Sequence, residues 1–112
     1  MASVMRYKDF VAKVQYSEED DVFFGVVLSI SGSVSFEGRS VKELKKDFRD
    51  AIDLYLETCK ENSIPVFKQY KGSFNIRVSP DTHRRASETA AARGISLNQF
   101  VGESIERELA EG

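Results

Sequence analysis

The stretch Lys71-Gly72-Ser73-Phe74-Asn75-Ile76-Arg77-Val78-Ser79-Pro80 constrains this chain more than any other. Phe74, Ile76 and Val78 alternate with Ser73, Asn75 and Arg77, the period-two pattern of a strand with one apolar and one polar face. A lone strand leaves its N–H and C=O groups unpaired and its apolar face in water, so it needs a partner strand and a cover. The 42 residues from Lys71 to Gly112 offer helical patterns for the cover but no second strand. The pattern therefore predicts pairing with the same segment of a second copy, as a two-stranded antiparallel ribbon. Such a ribbon presents Ser73, Asn75 and Arg77 twice on one exposed face. A hydroxyl, an amide and a guanidinium are groups that read base edges, and a two-stranded ribbon fits the DNA major groove.

The residues behind the strand read as two helices. Ser79 is suited to cap the first, Pro80 to its first position, and Asp81 to the positive end of its dipole. This helix is predicted from Pro80 to Arg93, with Ala86, Ala90 and Ala91 permitting close packing and Gly94 as its stop. Ser96 and Gln99 then form a capping box, with Ile95 and Phe100 at the spacing of a hydrophobic staple. Leu97, Phe100, Val101, Ile105 and Leu109 follow as one apolar stripe, too large for so small a unit to leave in water. An intertwined dimer core would bury it.

The formal net charge of −2 gives no hint of an anionic partner, but its distribution does. Between Lys71 and Gly102 there are five basic residues (Lys71, Arg77, Arg84, Arg85 and Arg93) against two acidic ones, Asp81 and Glu88. From Glu103 onward the balance reverses, with Arg107 against Glu103, Glu106, Glu108 and Glu111.

Ahead of the ribbon segment the pattern is that of an α+β unit. Tyr7 to Tyr16 alternates Phe10, Ala12, Val14 and Tyr16 on one face, and Val22 to Ile30 is almost continuously apolar. A third short strand is predicted over Ser33–Glu37, with Val34 and Phe36 inward, giving a three-stranded antiparallel meander. The acidic run Ser17 to Asp21 reads as a solvated turn. Ser40 and Glu43 form a capping box, and Val41, Leu44, Phe48, Ala51, Ile52, Tyr55, Leu56 and Cys59 recur at helical spacing behind it. That helix packs on the meander, with Asn62 as its left-handed cap and Ile64-Pro65 beyond its end. The expected division is residues 1–69 and 70–112.

Several kinds of chemistry are poorly provided for. One cysteine, Cys59, and one histidine, His83, make neither a disulfide nor a zinc site, and no metal or cofactor is expected. Two-metal hydrolysis needs converging carboxylates, whereas Asp9, Asp21 and Glu37 fall at strand ends and Asp47, Asp50 and Asp53 on a mixed helix face. The chain is accordingly read as non-enzymatic, with no catalytic residues. It has no apolar run long enough for a bilayer and no apolar signal core, so no membrane partner and a cytoplasmic location are expected.

The order strand, glycine-ended helix, then Ser96-Leu97-Asn98 opening a second helix resembles the ribbon-helix-helix DNA-binding domain. In it Ser73-Phe74-Asn75-Ile76-Arg77-Val78 is similar to the reading strand. The resemblance implies base contacts from Ser73, Asn75 and Arg77, and phosphate contacts from Lys71 and the backbone donors of Ser96, Leu97 and Asn98. The front part, with Phe24-Gly25, Val34-Ser35-Phe36 and Tyr55-Leu56, resembles the N-terminal domain of HicB-type antitoxins, a truncated ribonuclease H-like fold. That resemblance implies an antitoxin that blocks a small HicA-type, mRNA-cleaving toxin and represses its own operon by binding operator DNA. It would act as a homodimer, which could pair into a tetramer. The competing expectation is a stand-alone repressor whose front domain senses a ligand or mediates assembly.

Overall fold

Alternating apolar residues build a meander of four strands, one more than the pattern predicts. In the computed structural model, which describes residues 3–112, β1 (Ser3–Tyr7), β2 (Phe10–Ser17), β3 (Val22–Val27) and β4 (Ser35–Gly38) form an antiparallel sheet in the order β1-β2-β3-β4. The expected strand from Tyr7 to Tyr16 is thus divided. Tyr7 closes β1, pairs with Phe10 and leaves Lys8-Asp9 as the hairpin turn, with Lys8 left-handed at φ 54°. The expected strand over Val22–Ile30 stops at Val27, because Ser29 turns left-handed at φ 63° and Ile30 bridges to Phe67 instead.

One helix, α1 (Val41–Asn62), covers one face of the sheet. Phe10, Ala12, Val27, Phe36, Leu44, Phe48 and Ile52 are buried between the two, and Phe48 and Ile52 are sealed completely. Each large side chain buried this way contributes about 1.5–3 kcal/mol. Gly25 faces Phe36 across the β3–β4 pair, and a Cβ at Gly25 would clash with Cζ at the tip of the Phe36 ring. Its absence lets that ring lie over the strand and stack on Phe48, with centroids 4.6 Å apart. The opposite face of the sheet carries Val4, Val26 and Leu28, all exposed.

The α1 capping box forms with one change. The Glu43 N–H donates to Ser40 Oγ (3.1 Å), but the Glu43 carboxylate accepts the Arg39 N–H (2.9 Å), one residue earlier than the motif implies. At the other end Ser63, not Asn62, takes the left-handed cap at φ 53°, its N–H directed to the Cys59 carbonyl. A non-glycine residue in that conformation is strained by roughly 1–2 kcal/mol. Ser63→Gly is therefore expected to stabilise this unit by about 1 kcal/mol, read as a raised midpoint in urea unfolding.

The connector after α1 is held to the loop before β4. The Ser31 N–H bonds the Val66 carbonyl (3.2 Å) and the Lys68 N–H bonds the Ser29 carbonyl (3.0 Å), on either side of the Ile30–Phe67 bridge. Phe67 stacks on Phe10 at 5.0 Å, and the Tyr55 hydroxyl donates to the Val66 carbonyl at 2.7 Å. The first compact unit accordingly extends to Lys71, and a second runs from Gly72 to Gly112.

On the β1 side, Lys8 Nζ lies 2.9 Å from Asp53 Oδ1, and the Tyr7 hydroxyl donates to the same carboxylate at 3.1 Å. The Lys8 hydrogen bond holds the Asp53 carboxyl below its ordinary 3.8, and the Asp53 hydrogen bond raises the Lys8 ammonium above its ordinary 10.5. A lowered carboxyl stabilises the fold above its unfolded pKa and stops doing so as pH falls through the lowered value. The raised ammonium contributes below 10.5 and is lost as pH climbs through the raised value. NMR titration is expected to give Asp53 a midpoint below 3.8 that moves upward in Lys8→Met.

The second unit holds α2 (Pro80–Arg93) and α3 (Leu97–Glu111). Their starts and stops follow the sequence closely. Ser79 Oγ accepts from the Thr82 N–H (3.2 Å), Gly94 is left-handed at φ 72°, and Ser96 Oγ accepts from the Gln99 N–H (3.0 Å). The Gln99 side chain turns to Glu103 (3.4 Å) rather than back to the cap, so only half of that capping box forms.

Candidate nucleic-acid interface

Residues 71–79 form no ladder within the single chain. The alternation predicted a strand here, and its backbone finds no partner among the described residues because no neighbouring strand of this unit exists to supply one. Phe74 is 72% exposed, Ile76 56% and Val78 47%, so the apolar side of the segment stands as open as its polar side. Ser73, Asn75 and Arg77 are exposed too, and none makes a side-chain hydrogen bond or ion pair among the described residues.

The remainder of the second unit is equally short of interior. Ala90 is its single buried residue among those described. Leu97, Phe100 and Val101 are only half covered, and Leu109 remains 74% exposed. A unit of this size with one buried alanine cannot offset the conformational entropy of ordering two helices. Its apolar stripe and the apolar edge of the ribbon segment are both open to a further chain.

The residues expected at phosphates fall in two places. Lys71 is exposed at the end of the first unit, while Ser96, Leu97 and Asn98 sit at the start of α3. The Ser96 hydroxyl is engaged as the cap, which leaves the N–H groups of Leu97 and Asn98, the first two of α3, without intrahelical acceptors. Such donors at the positive end of a helix suit an anion. Arg93 is a further candidate at this end. Its guanidinium stands over the Phe100 ring at 5.5 Å, and Phe100 lies in the first turn of α3. Its position just before Gly94 was visible in the sequence, but the ring that holds it there was not. Arg84 is committed elsewhere, bound by both Asp81 and Glu88 at 2.9 Å.

Residues 55–105 match the HicB family model, a stretch that includes the last turns of α1, the connector, the ribbon segment, α2 and the first part of α3. Over these residues, somewhat less than half of the chain, the sequence is similar to the HicB family. No curated protein and no solved structure matches the chain. None of the helices among the described residues is long and apolar enough to cross a membrane.

Proposed function

We propose that this protein is a HicB-type, cytoplasmic, non-enzymatic antitoxin that neutralises a HicA-type, mRNA-cleaving toxin and represses its own operon. In this reading the first unit, a truncated ribonuclease H-like fold, holds the toxin, and the second is a ribbon-helix-helix domain. Two copies of segment 73–78 pair antiparallel, bury Phe74, Ile76 and Val78 with the helices, and offer Ser73, Asn75 and Arg77 to base edges in the major groove. The observation that carries the proposal is the unpaired, alternating and exposed segment itself, with apolar side chains from 47% to 72% exposed ahead of two capped helices.

The absence of catalysis in this reading is supported by the occupation of four of the six candidate carboxylates. Asp47 accepts the Glu37 N–H (2.8 Å), Asp50 pairs with Lys46 (2.8 Å), Asp53 with Lys8 (2.9 Å), and Asp21 accepts the Tyr16 hydroxyl (2.8 Å). Pure protein is expected not to cleave RNA with added divalent metal.

Co-expression with the product of a small adjacent reading frame tests the toxin half. A stable complex and relieved toxicity are expected; failure of both leaves the stand-alone repressor as the better reading. For the DNA half, Arg77→Ala is expected to weaken operator binding by about 1–3 kcal/mol, the usual cost of removing a bidentate hydrogen bond to a base. Unchanged affinity in a gel-shift titration at fixed salt removes Arg77 from the reading face.

A further inference from the structure

The charged surface of α1 is sorted by sign with one exception. Lys42, Lys45 and Arg49 recur at spacings of three and four along one flank, and Lys60 continues the same line; Asp53 also falls on it, paired with Lys8. Glu43, Asp47, Asp50, Glu57 and Glu61 follow the opposite flank. The packing fixes which is which: Asp47 reaches the Glu37 N–H on β4, whereas Arg49 stands 5.7 Å from the Tyr7 ring centroid on β1. Lys42, Lys45, Arg49 and Lys60 are exposed and enter no ion pair among the described residues.

Helix stability alone would arrange these charges otherwise. Opposite charges four apart support a helix and like charges weaken it. In α1 the like charges four apart (Lys42–Lys46, Glu43–Asp47, Lys45–Arg49, Asp53–Glu57 and Glu57–Glu61) outnumber the opposite ones (Lys46–Asp50 and Arg49–Asp53). Lys46–Asp50 is its one intrahelical ion pair among the described residues. Lys42, Lys45 and Lys46 also crowd the first two turns, at the positive end of the helix dipole, where cations are unfavourable. A basic flank kept at this local cost is explained by an anionic partner.

We propose that Lys42, Lys45 and Arg49 bind the phosphate backbone of duplex DNA, as a contact separate from residues 73–77. Exposed cationic side chains with no carboxylate partner suit phosphate oxygens. From Lys42 to Arg49 the helix rises about 10 Å, the axial length of about three phosphates on one strand. The inference rests on the proposed DNA-binding role, because DNA held by one part of the chain is at high effective concentration for the rest.

The test uses the full chain and the variant Lys42→Gln/Lys45→Gln/Arg49→Gln. Fluorescence anisotropy is measured between about 50 and 200 mM salt on two duplexes, one from directly upstream of the chain's own coding region and one a shuffled version of it. The variant is expected to weaken both duplexes by the same factor and to flatten the salt slope by about 0.9 for each phosphate it no longer neutralises, about 2–3 per chain. Its thermal midpoint should be unchanged or higher, since like-charge neighbours have been removed. Identical slopes and affinities for variant and parent overturn the inference. Weaker binding of both duplexes by the triple variant, while Arg77→Ala changes neither, upholds this phosphate contact and rejects the base-reading assignment. No binding of either duplex by the parent protein at the lowest salt overturns both.

Discussion

Gly38→Ala is expected to lower the thermal midpoint of the first unit by more than about 10 °C, the shift that a loss of about 3 kcal/mol produces in a unit of this size. A Cβ at Gly38 would overlap the Leu44 nitrogen and come within 2.8 Å of the Glu43 carbonyl carbon and Leu44 Cα. These atoms are backbone in the first turn of α1, so no rotamer change can clear them. The turn must move, and Leu44 and Phe48, 4% and 1% exposed, move with it. Circular dichroism melts of the two proteins provide the measurement. A shift of less than about 4 °C, equivalent to under 1 kcal/mol, would mean that α1 does not sit against β4 as closely as these distances require.

If the proposed ribbon forms, Ile76→Asp is expected to leave the protein monomeric and to weaken DNA binding more than 100-fold, on the order of 3 kcal/mol or more. Within one chain Ile76 is 56% exposed, and an aspartate there would be harmless. Between two chains it becomes a carboxylate in an apolar seam, twice over, with no counter-charge at hand. Light scattering after size exclusion separates these cases, while the melt of the first unit serves as the control and should not change. If the variant keeps the parent mass, segment 73–78 is an exposed edge and not half of a ribbon.

The parts of the fold that were legible in the sequence are those set by local chemistry. Ser40, Ser79 and Ser96 cap helices because a short hydroxyl side chain can reach a free amide two or three residues on, and Gly94 ends one because it tolerates positive φ. The parts that were not legible depend on distant partners. β1 was hidden because Ser3–Tyr7 alternates weakly and its turn, Lys8-Asp9, holds neither glycine nor asparagine, so Tyr7 read as the beginning of the next strand. The end of β3 at Val27 depends on Phe67, forty residues further on, which captures Ile30. Ser63 takes the cap because Asn62 is still helical, so the left-handed turn comes one residue later than a cap at Asn62 would place it. At the candidate interface the alternation from Ser73 to Val78 was plain, and so was the lack of a partner for it within the chain. The position of Arg93 over Phe100 was not, since it depends on how the turn at Gly94 brings one helix end to the next.

The hydrogen bond from the Glu37 N–H to Asp47 also bears on solubility. β4 is an outer strand of the sheet, and an outer strand is a template on which another chain can add. Because this amide is not used toward β3, it points to the open side, and Asp47 occupies it with a charged acceptor at 2.8 Å. An incoming strand must displace that carboxylate and then lie beside its charge. Asp47→Ala would keep the sheet and expose a bare amide, so the cost of losing this side chain should appear as self-association on standing before it appears as unfolding.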